Sequence, residues 1–356
     1  MTAPIMTVPA AVPSVRSRPV PWRNLAWVAL RQRRGLFVGL GVLLGLIAAY
    51  LVVMAIIQNN AYAAVAACHP ASVLRCQELK SAFIGDYWGG DNSVLQSGGA
   101  QTVSSLMFAV PVLLGVFAGA PLLSRELESG TFRFAWTQGA GRTRWVLSTL
   151  VVPALVVVAA TGAFTAIFYW YFRPFLALGQ VSEMLPLSFA LLAVAFAAWT
   201  LLAYALAAFL GAVFRRTVLA MVLTLVLYVV LAMATVTAIR PHYATPVTVS
   251  SASVGSTGAS DGSGWVISDL ERAPNGQELS RNDLYHYFQQ LPSSVQNSTG
   301  SGAFTTWLTK HGYTSWTSLQ PDSRFWEFQL IEGGWLVALS AVLIGATVWL
   351  VRRRGA

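Results

Sequence analysis

Six stretches of the chain are almost uninterrupted runs of apolar residues: 36–57, 102–123, 145–172, 186–213, 217–239 and 330–351. A helix needs about 20 apolar residues to cross the hydrocarbon core, so each run is long enough to span a membrane. Only the Arg215-Arg216 region separates the fourth run from the fifth, which predicts a tight hairpin. No repeat of the solenoid kind is present. Ahead of the first run, residues 1–35 form a polar arm in which Trp22, Leu25, Ala26, Ala29 and Leu30 recur at helical spacing. Arg23, Asn24 and Arg31 face the other way, although Trp27 strays toward them. The pattern predicts an amphipathic helix over 22–30 lying in the membrane interface.

Two longer polar segments separate the runs, 58–101 and 240–329. Up to Gly264 the second is rich in Ser, Thr and Gly and reads as a flexible linker. Residues 265–329 regain aromatics, among them Tyr285, Tyr287, Phe288, Trp307, Tyr313 and Trp316, and are expected to pack as a small helical cap. The organisation predicted is an arm over 1–35, spans one to five over 36–239, an outer segment over 240–329, and span six with a tail over 330–356.

Composition agrees with lipid as the solvent: 55% of residues are apolar and 10% charged, against about 25% charged in soluble domains. The net charge of +9 invites a nucleic-acid reading. The basic residues, however, sit in small clusters at the ends of apolar runs, as membrane topology requires. Arg16, Arg18, Arg23, Arg31, Arg33, Arg34, Arg125, Arg133, Arg142, Arg144, Arg215, Arg216, Arg352, Arg353 and Arg354 all fall on one side, with only Glu126 and Glu128 opposing them. The other side holds eight basic and twelve acidic residues. The positive-inside rule therefore predicts a multi-pass protein of the cell membrane with both termini cytoplasmic. Tyr169-Trp170-Tyr171-Phe172 fall at the outer headgroup level as expected anchors, and Trp145 and Trp349 near the inner one. The first apolar run follows too long a polar arm for a cleaved leader. Val65-Ala66-Ala67-Cys68 is taken as a chance match to a lipoprotein box.

All Asp, Glu, Lys and Arg residues fall outside the six runs or at their rims, Glu332 intruding furthest. Proton- and ion-coupled carriers place titratable groups in the transport path, so proton coupling is not expected; sodium coupling through backbone carbonyls of broken helices stays open, although the sequence has no paired inverted halves. A phosphate loop needs Gly-x-x-x-x-Gly-Lys-Ser/Thr; the two lysines, Lys80 and Lys310, do not follow glycine. Any ATP and Mg would be held by a partner, and the chain itself is not expected to be an enzyme or to bind a cofactor.

Between spans two and three the chain reads Ser124-Arg125-Glu126-Leu127-Glu128-Ser129-Gly130-Thr131-Phe132-Arg133. Gly130 breaks the helix leaving the membrane and Thr131 can cap a short new one. The pattern Arg-Glu-x-Glu-x-Gly-Thr after the second of six spans resembles the type-2 ABC transporter permeases. Arg142-Thr143-Arg144-Trp145 at the entrance of span three is similar to that family too, as is Ser323-Arg324-Phe325-Trp326 followed by Gln329 and Glu332. The resemblance implies that this loop is a coupling helix docking on an ATP-binding subunit through Arg125, Glu126, Glu128, Gly130, Thr131 and Arg133. It also implies a half-transporter, paired as a homodimer or with a second permease and bound to two ATPase subunits, with spans two and five lining the path. Pro111 would loosen span two by freeing a carbonyl. The fold class expected is thus an all-α membrane protein: six transmembrane helices, an interfacial helix, a coupling helix and an enlarged outer segment. The function expected is export of a hydrophobic or amphipathic substrate, whether drug, lipid or peptide. A membrane-anchored sensor or scaffold with a ligand-binding outer segment is the alternative.

Cys68 and Cys76 both fall on the oxidising side, where a disulfide is favoured over two free thiols. His242, His286 and His311 lack metal-ligand spacing, and no metal site is expected. Asn297-Ser298-Thr299 matches a glycosylation sequon, which carries little weight beside a composition of 21 Arg against 2 Lys, typical of a GC-rich bacterial genome.

Overall fold

The computed structural model describes residues 34–70, 72–88, 100–129, 142–179, 181–251, 264–296 and 303–354, with Pro21, Trp27 and Arg31. Six helices among these are long and apolar enough to cross a membrane: Phe37–Ala67, Thr102–Glu126, Thr143–Ala177, Ala193–Phe214, Thr217–His242 and Asp322–Arg353. The spanning part is all-α. The interfacial helix expected over 22–30 lies outside the described residues except for Trp27, which is helical and exposed, with the Arg31 guanidinium 4.6 Å from its ring centre.

Span one is α1 (Arg34–Ala67), followed by α2 (Leu74–Trp88). It continues beyond 57 because the polar run there does not break the helix. The Asn59 amide donates to the Ala55 carbonyl at 2.8 Å and to the Trp170 carbonyl at 3.2 Å, and the alanines that follow are strong helix formers. Span two comprises α3 (Ala100–Met107) and α4 (Val110–Ser129), interrupted at Phe108-Ala109, just ahead of Pro111. Span three is α5 (Arg142–Ala177). The fourth apolar run is split into α6 (Pro186–Leu191) and α7 (Ala193–Phe214), and α8 (Thr217–Ala234) forms most of span five. Between α7 and α8, Arg215 takes a left-handed conformation at φ 54° and its N–H donates to the Gly211 carbonyl.

Span four is the centre of the bundle, and its small residues set how closely span two approaches. Gly115 and Gly119 face Ala203, Tyr204 and Ala207, while Gly211 faces Ala120. Small residues four apart let backbones meet without intervening side chains, a favoured packing in lipid, where burial gives helices no hydrophobic reason to associate. Tyr204 OH donates to the Leu150 carbonyl at 2.7 Å, tying span three to the same core. The Ser124 and Thr217 hydroxyls bond at 2.7 Å beside the hairpin. The aromatic run at the end of span three divides in two: Tyr169 and Trp170 are exposed as anchors, but Tyr171 and Phe172 are buried. Successive residues turn 100° around a helix, so the second pair faces the core. Phe172 there lies between Phe168 and Phe175, with centroids 5.5 and 5.9 Å away.

The segment between spans five and six departs from the linker and helical cap expected. β1 (Val247–Ser251), β2 (Gly264–Arg272), β3 (Glu278–Ser280) and β4 (Thr314–Pro321) make an antiparallel sheet in the order β1-β4-β2-β3. Short helices α9 (Arg281–Gln289), α10 (Ser293–Gln296) and α11 (Ala303–Lys310) lie between β3 and β4. Val247-Thr248-Val249, inside the presumed linker, suit a strand because β-branched side chains fit a pleated sheet. Their partner lies far along the chain, Val247 opposite Leu319, so no local pattern announces the pairing. Leu284, Leu308, Phe304, Trp307 and Tyr313 form the cap's small core. β4 then runs through a 3₁₀ turn, Asp322–Arg324, directly into α12 (Phe325–Arg354), which carries span six.

Candidate functional site

Span five does not end as a regular helix. Thr235–Ile239 form a π-helical turn, and Arg240 follows in a 3₁₀ turn. The π turn holds an extra residue, a local distortion common at functional sites. Arg240 follows it with its side chain only 1% exposed, against Glu332 of α12 at 0%. Arg240 Nε donates to Glu332 Oε2 at 2.8 Å and Nη2 to Oε1 at 2.7 Å, a bidentate pair. Trp199 Nε1 donates to Oε1 at 2.8 Å and Tyr243 OH to Oε2 at 3.3 Å. Trp335 Nε1 in turn donates to the Tyr243 oxygen at 2.8 Å, and the Phe189 ring lies 4.3 Å from the guanidinium centre. Spans four, five and six are thereby joined through one carboxylate. The sequence reading put both charges at the rims; instead they are buried within the cap ends of spans five and six. Helical phase brings them inward, and each neutralises the other. Such a pair adds little net stability over an apolar filling, but removing one partner costs about 3–5 kcal/mol.

One turn before Glu332, Gln329 repairs the break in span four. Its Nε2 donates to the Phe189 carbonyl at 2.8 Å and its Oε1 accepts from Ala195 N–H at 2.7 Å. Those are backbone groups that a continuous helix would satisfy itself. Ala193, just after the break, has φ 51°, strained for a residue with a Cβ. Gly333 completes the face: a Cβ there would lie 2.7 Å from Val194 Cγ1. Gln329, Glu332 and Gly333 thus share one face of span six, turned to the broken helix.

One hollow adjoins the ion pair, and a second adjoins the first. A chamber of about 10 Å³ is bounded by Phe108, Pro111, Trp199, Tyr228 and Arg240, among others, enough for one water-sized group. A groove of about 270 Å³ shares Phe108, Tyr228, Ala232 and Val236 with it and adds Pro186, Leu187, Val229 and Met233. The break in span two, the break in span four and the π turn of span five all lie around these hollows.

A family model described as "ABC-2 membrane transporter related" matches residues 41–240, more than half of the 356 residues. The chain belongs to that family. Its matched part runs from span one to Arg240 itself, so the ion pair links the last matched residue to span six. No curated protein and no solved structure matches the chain.

In this ABC-2-related transporter component, the residues expected to couple to an ATPase lie at the opposite end of span two from the hollows. Arg125 and Glu128 are exposed and Glu126 half-buried near the end of α4. Glu128 stands about 25 Å along the helix from Pro111. Gly130, Thr131 and Arg133 lie outside the described residues. Of the residues before and within span six that carry the family resemblance, Gln329 and Glu332 enter the site. Phe325 packs edge-on to Phe189 with centroids 5.7 Å apart, Arg324 donates to the Thr245 carbonyl at 2.6 Å, and Trp326 is exposed.

Cys68 and Cys76 are joined in a disulfide with Cα atoms 5.6 Å apart, fastening the end of α1 to α2. His242 and His311 bond carbonyls of their own helical turns, Ala238 and Trp307, and His286 is exposed. Among the described residues no group of three or more His, Cys, Asp or Glu is placed to hold a metal. Sequence reasoning missed Trp199, Tyr228 and Arg240; the signal available was a polar-tipped aromatic in the middle of each of two apolar runs.

Proposed function

We propose that the chain is the permease subunit of an ATP-binding-cassette exporter, carrying a hydrophobic or amphipathic substrate across the cell membrane by alternating access. Family membership over five of the six spans is the observation that carries this reading. The sequence supports it further by having no phosphate loop of its own. ATP and Mg would bind a separate ATPase subunit, two copies of which would serve a permease dimer, formed with a second copy or a related permease. The arginine-rich ends would face the cytoplasm and the α/β cap the exterior.

In this reading Arg125, Glu126, Glu128, Gly130, Thr131 and Arg133 receive the ATPase's motion. The close Gly115–Ala203 and Gly119–Ala207 contacts let spans two and four move as one body. The interruptions at Phe108-Ala109 and Leu192 are where that motion is absorbed, next to the groove. Purification of the tagged chain together with the ATP-binding protein encoded beside it tests the proposal. A stable complex whose ATPase activity depends on the chain is expected; no retained ATPase under mild extraction overturns it.

A further inference from the structure

Tyr228 sits in the middle of span five, 5% exposed, and lines both the chamber and the groove. Its ring is held edge-on against Trp199, centroids 5.3 Å apart. Among the described residues its hydroxyl has no hydrogen-bond partner. The oxygen is not one of the fully buried unpartnered atoms: it keeps a small open face on the hollows that the residue lines, where a bound group can satisfy it. This hydroxyl is therefore a donor and acceptor kept ready beside an apolar groove. The chamber in front of it admits one water-sized group.

We propose that groove and chamber form a binding site for an uncharged amphiphile with a single hydroxyl head. The apolar body lies against Phe108, Leu187, Val229 and Met233, and the head meets the Tyr228 hydroxyl. The head is uncharged because the site has no charge to spare. Arg240 is matched by Glu332 through two short bonds, so a charged head would lose its hydration without gaining a counter-charge. The role of this site in transport rests on the permease reading; its existence rests on the cavity and the unpartnered hydroxyl.

The test uses the full chain in lipid nanodiscs and a long-chain primary alcohol with a brominated alkyl chain, which quenches nearby tryptophans, Trp199 foremost. Saturable quenching is expected. Tyr228→Phe, which keeps the ring packing and removes only the hydroxyl, should weaken binding about fivefold to tenfold. Val229→Phe, which fills the groove from an exposed position, should weaken it further. An alkyl sulfate and an alkyltrimethylammonium with the same brominated chain should bind at least tenfold more weakly. Quenching that rises linearly, as by simple partition, or a curve unchanged by either substitution, overturns the site. Equal binding of a charged probe overturns the uncharged head. Saturable binding without any ATP-driven transport leaves the site standing and counts against the permease reading instead.

Discussion

Gly119 and Tyr204 meet backbone to backbone: a Cβ on the glycine would lie 2.5 Å from the Tyr204 carbonyl oxygen. Gly115, one turn earlier, stands in the same relation to Ala203, whose Cβ would be 2.3 Å away. Both obstacles are backbone or Cβ atoms, which have no rotamer to yield. Gly115→Val is therefore expected to push spans two and four apart, at a cost of about 1–3 kcal/mol or more. Gly162, with open space around it, is the control. Thermal aggregation of the detergent-solubilised protein, followed by size exclusion after heating, should show a lowered midpoint for Gly115→Val and little change for Gly162→Val.

The Arg240–Glu332 pair makes a prediction in which two losses are less harmful than one. Glu332→Leu alone strands a buried guanidinium and should cost about 3–5 kcal/mol. Arg240→Met should do comparable damage by stranding the carboxylate. The double variant leaves neither charge unpaired and should recover most of that stability. Melting midpoints of the three variants test this; a double variant as unstable as the sum of the singles would show that the pair's geometry, not its neutrality, holds the site.

Glu128 is exposed near the end of α4, far from the packed core. Glu128→Ala should leave expression and stability within about 0.5 kcal/mol. Loss of a charged docking contact can cost about 2–5 kcal/mol of binding, so transport and copurification with the ATPase should both fall sharply. Unchanged retention of the ATPase would remove Glu128 from the coupling surface.

At the cap end, Ser182 Oγ donates to Asp322, and the Met184 N–H bonds the Ser182 oxygen at 2.9 Å. Burial, and then the nearby Asp322 carboxylate, push the Glu183 carboxyl above its ordinary range. A carboxyl raised on folding favours the protonated folded state. Its contribution is fully present below its ordinary value near 4.5 and is lost as pH rises through the raised one. Glu183→Gln should therefore raise the melting midpoint at pH 7.5 and lose that advantage near pH 4. A midpoint difference independent of pH would assign the effect to packing.

Several features were legible because they depend on solvent, not on partners. Each spanning helix must satisfy its own backbone in lipid, so runs of about 20 apolar residues mark the six spans without knowledge of their packing. The arginine clusters are likewise a signal written along the chain. The loop after span two, Arg125 to Thr131, carries the family resemblance in consecutive residues.

Tertiary structure alone decided the rest, because the deciding partners are distant. Gln329 caps a break 140 residues away at Phe189, and Arg240 is drawn inward by a carboxylate 92 residues on. Neither side chain is marked locally as buried; each reads as an ordinary polar residue at the edge of an apolar run. The same holds for Val247–Ser251, polar enough to pass for linker until β4 supplies the opposite strand. Hydropathy records what each residue would gain from lipid. Where a charge or amide is satisfied across the bundle, its burial depends on geometry, and only the folded chain brings donor and acceptor together.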